Sequence, residues 1–127
     1  MISLTPKDIK LRQKSKLLEL IFEDGRRSSF SYEFLRVHSP SAEVRGHSLD
    51  QAVLQLNKVS VGISKLDLVG SYALKITFDD GHDTGLYSWE YFKDLEDNQH
   101  FYWTTYLENL RKEGHDREIW VKEAEND

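Results

Sequence analysis

ALKITFDDGHDTGLYSWEYF, residues 73–92, is the stretch on which the fold turns. Leu74, Ile76 and Phe78 alternate with Lys75 and Thr77, the period of two expected of a strand with one buried face. Asp79-Asp80-Gly81 then closes the strand with turn chemistry, because aspartate tolerates turn geometry and glycine supplies positive φ. The chain returns through His82 to Tyr87, and Ser88 stands where a helix N-cap belongs, with Glu90 in the first turn. Trp89 and Phe92, three residues apart, share one face of that helix.

LLELIFEDGRRSSFSYEFL, residues 17–35, has the same plan. Leu18, Leu20, Phe22, Asp24 and Gly25 match Leu74, Ile76, Phe78, Asp80 and Gly81 at a constant offset of 56. The chain thus contains two similar strand–turn–strand–helix units, whether by duplication or by shared turn chemistry. Ile9 and Leu11 predict a further strand ahead of the first unit. Residues 38–51, broken by Ser39-Pro40 and Gly46, read as the longest loop, and residues 52–56 as one helical turn. Val59, Val61 and Ile63 alternate again. Leu66 and Leu68 follow on the opposite parity, which predicts a bulge near Ser64-Lys65.

A last helix starts at Asn98. Its Trp103, Tyr106, Leu107 and Leu110 form a core-facing stripe, and Gly114 sits at its C-terminal cap. The predicted class is α+β: a small, mainly antiparallel sheet built from hairpins, with two C-terminal helices packed on it. One domain spans residues 1–114. Residues 115–127 read as a charged, flexible tail in which Trp120 and Val121 are the candidate anchors.

The 127 residues suit one domain and carry 17 basic and 22 acidic side chains, a net charge of −5. That sign disfavours non-specific nucleic-acid binding, which needs cations facing phosphates. No run of apolar residues is long enough to span a membrane, and the start lacks a secretory h-region, so a cytoplasmic location is expected. The chain has no cysteine, which excludes disulfides, thiolate zinc sites, iron–sulfur ligation and cysteine nucleophiles. Glycine-rich phosphate loops, a nucleophile elbow and a His-Glu-x-x-His pair are all missing from the sequence.

Among the chemistry-bearing residues, His38 and His47 flank the long loop and His82 follows the second turn. With Glu43 and Asp83 they are candidates for a nitrogen and oxygen site holding iron or zinc, against the plainer reading of hydrogen-bonded turn residues. Glu43, Asp83 and Glu90 are candidate acid–base groups or simply surface carboxylates. Trp89, Tyr91 and Phe92 line either a pocket or the core. Arg45-Gly46-His47 is the first choice for an interaction loop, since loops on rigid scaffolds carry function. No catalytic residue and no resident cofactor are expected. A protein partner or a homo-oligomer is.

FLRVHSPSAEVRGH (residues 34–47) and VGSYALKITFDDGHDTGLYSWEYF (residues 69–92) resemble the N-terminal domain of gamma-butyrobetaine hydroxylase and the small bacterial proteins of that family. The resemblance runs from about Ile9 to Leu110, with Asp80 to Trp89 its most specific part. It implies a domain that, in the hydroxylases, holds structural zinc through a Cys-Pro-Cys-x-x-Cys motif and one histidine. The cysteine positions correspond to Ser39, Ser41 and Val44, and the histidine to His82. The resemblance therefore implies vacated ligand positions and a loop held by hydrogen bonds and packing. The family's oxygenase chemistry belongs to a second domain outside these residues. Members joined to iron–sulfur-carrier ATPases imply an adaptor role in iron–sulfur or oxygenase systems.

Overall fold

A computed structural model describes residues 3–45 and 52–115. The expected antiparallel content divides between two three-stranded sheets. In the first, β1 (Asp8–Arg12), β2 (Leu17–Ile21) and β3 (Arg27–Ser31) are paired in chain order. After α1 (Tyr32–Val37) and α2 (Ala42–Arg45), the second sheet follows as β4 (Ile63–Val69), β5 (Ala73–Phe78) and β6 (Leu86–Ser88). The helices α3 (Trp89–Asp97) and α4 (Gln99–Lys112) complete the described fold.

The two hairpin–helix units share their atomic detail. Phe22 N–H donates to the Arg26 carbonyl and Gly25 N–H to the Phe22 carbonyl, each at 3.0 Å. In the second unit Phe78 donates to His82 at 2.9 Å and Gly81 to Phe78 at 3.1 Å. Gly25 and Gly81 take φ of 89° and 91°, a region that favours glycine. Ser31 and Ser88 then cap α1 and α3, their hydroxyls accepting from Phe34 and Tyr91 N–H groups at 3.0 Å. The offset grows from 56 at the turn to 57 at the cap, because the second return strand carries one extra residue. That residue falls between His82 and Leu86, where β6 rejoins β5 opposite Lys75.

One core joins the units. Leu18, Leu20 and Phe30 come from the first sheet and Leu74, Ile76 and Phe78 from the second, all essentially inaccessible. Trp89, Phe92 and Leu95 on α3 lie against them, so Trp89 and Phe92 belong to the core. Tyr106 and Leu110 on α4 pack on Val37, with Trp103 and Leu107 alongside. The helix ends in a glycine cap: His115 N–H donates to Leu110 and Gly114 N–H to Arg111, with Gly114 at φ 71°.

Four details depart from the sequence reading. The long loop contains the short helix α2. Residues 52–56 form no helical turn, because their polar groups are bonded elsewhere: Val53 N–H to the Val44 carbonyl, Gln55 Oε1 to Arg36, and the Gln55 carbonyl to the Tyr106 hydroxyl. Val59 and Val61 precede the strand, which starts only at Ile63; the predicted bulge lies between Ile63 and Lys65. Asn98 precedes α4 without capping it, since its side chain turns back to Asp94. Gly46, His47, Trp120, Val121 and the tail beyond His115 lie outside the described residues.

Candidate functional site

One position that is equivalent in the two turns is occupied differently. In the first unit that position is Arg26, whose guanidinium lies 4.5 Å from the Phe22 ring centre. In the second it is His82, beside Phe78 with 6.1 Å between ring centres, and buried to 6% exposure. His82 points at the segment leading into α2. Its Nε2 lies 2.7 Å from Ser39 Oγ and 3.3 Å from Ser41 Oγ, and its Nδ1 lies 3.3 Å from Glu43 Oε2.

The protons follow from the partners. A carboxylate only accepts, so Nδ1 carries the hydrogen toward Glu43, and Nε2 accepts from the Ser39 hydroxyl. Burial lowers the imidazole pKa, with the Arg36 charge acting in the same direction against Glu43 and Asp80. Ser39 is wholly buried and Ser41 nearly so, and Ser41 N–H donates to Ser39 Oγ at 3.3 Å. A Cβ on Gly85 would overlap Ser39 Oγ and come within 3.1 Å of Pro40 Cδ, so the return strand presses directly on this segment. Val44 is buried at 5%, while Glu43 keeps 64% of its side chain exposed. Hydroxyl, imidazole and carboxylate stand in the order of a serine triad. The Ser39 hydroxyl nevertheless has no open approach for an attacked carbonyl, because none of the residue is exposed.

A second polar group flanks the first. Arg36, with 8% side-chain exposure, donates from Nε to Asp80 Oδ2 at 2.8 Å and from Nη1 to Gln55 Oε1 at 3.0 Å. Lys58 Nζ reaches the same Asp80 oxygen at 2.6 Å, and His82 N–H donates to its Oδ1 at 3.2 Å. Burial alone would raise the Asp80 carboxyl, but hydrogen bonds from Lys58, the His82 backbone and Arg36 outweigh it and hold the pKa at about 2. The Tyr87 hydroxyl, also buried, donates to the Leu35 carbonyl at 2.5 Å. Arg36, Asp80, Lys58 and Tyr87 escaped the sequence reading. The side-chain bonds that join them to one another, to Gln55 and to Leu35 span 19 to 52 positions, and nothing local marks them.

The sequence-derived candidates separate into those brought together and those kept apart. Ser39, Ser41, Glu43 and His82 converge. His38 does not join them: its Nδ1 lies 2.8 Å from the Phe34 carbonyl, and its ring packs on Phe34, Tyr102 and Tyr106. Burial lowers its pKa. His47 and Gly46 lie outside the described residues. Asp83 is 3.8 Å from Lys75, and Glu90 is exposed on α3. Tyr91 is half-buried, donating to the His38 carbonyl at 2.6 Å, and the exposed Arg45 guanidinium lies 5.7 Å from its ring centre. Among the described residues, no group of three His, Cys, Asp or Glu is arranged to hold a metal, and no helix is long and apolar enough to cross a membrane.

Two hairpin–helix units around a shared core, with a histidine from the second turn bonded to the loop after α1, define a small α+β domain. A family model described as gamma-butyrobetaine hydroxylase-like, N-terminal, matches residues 9–93, and the chain belongs to that family. Two NMR solution structures are similar to it. One has 44% identity and TM-score 0.74 over 88% of each chain. The other has 48% identity and TM-score 0.74 over 87% of this chain and 83% of that one. A crystal structure from Acidithiobacillus ferrooxidans, described as a protein of unknown function of the DUF971 family, has 31% identity and TM-score 0.61. It covers 73% of this chain and 93% of its own. No curated protein matches.

Proposed function

We propose that the chain is a non-catalytic interaction or accessory module acting in the cytoplasm, and that its functional surface is the outer side of α2. The supporting observation is the anchoring of that helix. Ser39 and Ser41 are buried against His82 and Val44 is buried on the same segment, while Glu43 and Arg45 face solvent from the same short turn. A surface held in one conformation before binding loses less entropy when a partner docks.

The structural zinc implied by the family resemblance does not suit this donor set. Two neutral hydroxyls, one alkyl group and one imidazole supply no thiolate, and His82 already uses both ring nitrogens in hydrogen bonds. The second reading is a rebuilt iron or zinc site, and its support is the contact between His82 and Glu43.

Affinity capture on the immobilised full chain tests the module reading. A saturable, stoichiometric partner should bind the native protein and be lost with Arg45→Glu. Absence of any saturable partner, or a partner indifferent to that substitution, refutes the assignment. Elemental analysis of untagged protein tests the metal reading, since stoichiometric metal must disappear in His82→Ala.

A further inference from the structure

The second sheet leaves β4 on an edge, with β5 as its strand neighbour and no strand on its other side among the described residues. At seven residues, Ile63–Val69 is the longest of the described strands. The Val69 carbonyl accepts from Tyr72 N–H in the turn to β5, so Val69 directs its backbone toward β5. Counting back with the alternation of a strand, Asp67 and Lys65 do the same. Leu66 and Leu68 therefore turn their N–H and C=O groups outward. Leu68 is also 67% exposed, an apolar residue on an open edge.

Natural edges are commonly blunted by charged side chains, lysine above all, by proline or by a bulge. Here the bulge lies at the Ile63 end, where Gln13 Nε2 donates to the Ile63 carbonyl at 3.1 Å. Along the rest of the strand the charges are Lys65 and Asp67, of opposite sign and equally spaced about Leu66. Their side chains stand on the solvent face 3.7 Å apart, with 67% and 43% of each exposed.

We infer that β4 is a self-association edge, two copies of the chain pairing their Ile63–Val69 strands antiparallel about a two-fold axis at Leu66. That axis is the midpoint of the strand, so the regular stretch Lys65–Asp67 pairs in register, with the bulge at the Ile63 end outside it. Lys65 of each copy then faces Asp67 of the other, giving two cross-strand ion pairs. Leu66 faces Leu66, and Leu68 lies diagonal to it. The two sheets merge into one of six strands, and the outward N–H and C=O groups of Leu66 and Leu68 find partners. The inference rests on the reading of the chain as an interaction module and names one partner, a second copy.

Sedimentation of the full chain over a range of concentrations tests it. The mass should rise from 14.9 kDa toward twice that value. Amides of Leu66 and Leu68 should gain hydrogen-exchange protection with concentration, while those of Lys65 and Asp67 are already protected by β5. Lys65→Asp or Asp67→Lys sets like charges opposite one another at two places and should weaken the dimer by about tenfold or more. The double exchange Lys65→Asp/Asp67→Lys should restore it. Both side chains are solvent-facing, so unchanged circular dichroism is expected in all variants. A monomer at every concentration, a dimer indifferent to the single substitutions, or a double exchange that fails to restore pairing overturns the inference. The module reading fails separately, through the capture experiment at Arg45.

Discussion

Removing one oxygen atom, by Ser39→Ala, tests how the loop before α2 is held. The hydroxyl lies 2.7 Å from His82 Nε2, inside a region where both residues are buried. Without it, Nε2 keeps only the longer contact to Ser41 Oγ at 3.3 Å. An under-satisfied buried acceptor costs about 1–3 kcal/mol. For a chain of this size, each kcal/mol corresponds to a fall in Tm of about 3–5 °C. The assay is urea unfolding followed by tryptophan fluorescence, run as a double-mutant cycle with His82→Ala. The coupling between the two substitutions should be about 1–2 kcal/mol, since each removes the same bond.

The pH of that cycle matters. The folded imidazole titrates below its ordinary 6.5, so the unfolded chain takes up the proton first as pH falls. The stabilising contribution of neutral His82 is whole above about pH 6.5 and declines below it, so the cycle belongs at about pH 8. Coupling under about 0.3 kcal/mol at that pH, with both single variants folded, would refute the reasoning.

Three further perturbations probe the same neighbourhood. Asp80 is held at about pKa 2 against an unfolded value near 3.8, so its contribution of about 1–2 kcal/mol is present above pH 4 and lost as pH falls toward 2; Asp80→Asn should remove that dependence in acid unfolding curves. Gly85→Ala should cost about 1–3 kcal/mol through overlap with Ser39 Oγ and Pro40. The loss should shrink when combined with Ser39→Ala, and simple additivity in denaturant titrations would contradict the packing. Ser31→Ala and Ser88→Ala should each cost about 1 kcal/mol by removing the caps of α1 and α3. Neither should change the m value in those titrations.

The elements most legible in the sequence were those set by local chemistry. Alternation at Leu74, Ile76 and Phe78, glycine after paired acids, and serine before an aromatic residue each determine a structure within a few residues. The matching unit at residues 17–35 has the same local causes. Residues 52–56 were misread for the opposite reason. Their backbone bonds go to Val44, Arg36 and Tyr106, so the decisive partners lie outside any sequence window. The site was half legible. The family resemblance singled out Ser39, Ser41, Val44 and His82 as related positions, but not that Nε2 faces the serines while Nδ1 faces Glu43. The residue pattern also offered His38, which the fold commits to an aromatic cluster with Phe34 on α1 and Tyr102 and Tyr106 on α4.

By itself the sequence determined the fold class, the two hairpin–helix units, their turns and caps, and the exclusion of thiolate chemistry. Those features depend on backbone preference and on side chains near one another along the chain. Tertiary structure alone decided that His82 turns Nε2 to Ser39 and Ser41 and Nδ1 to Glu43, that Arg36 and Lys58 share Asp80, and that β4 forms an edge. Such contacts depend on how two similar units pack, so that equivalent turn positions meet different fates. Arg26 stays at the surface, whereas His82 is carried into a buried polar cluster.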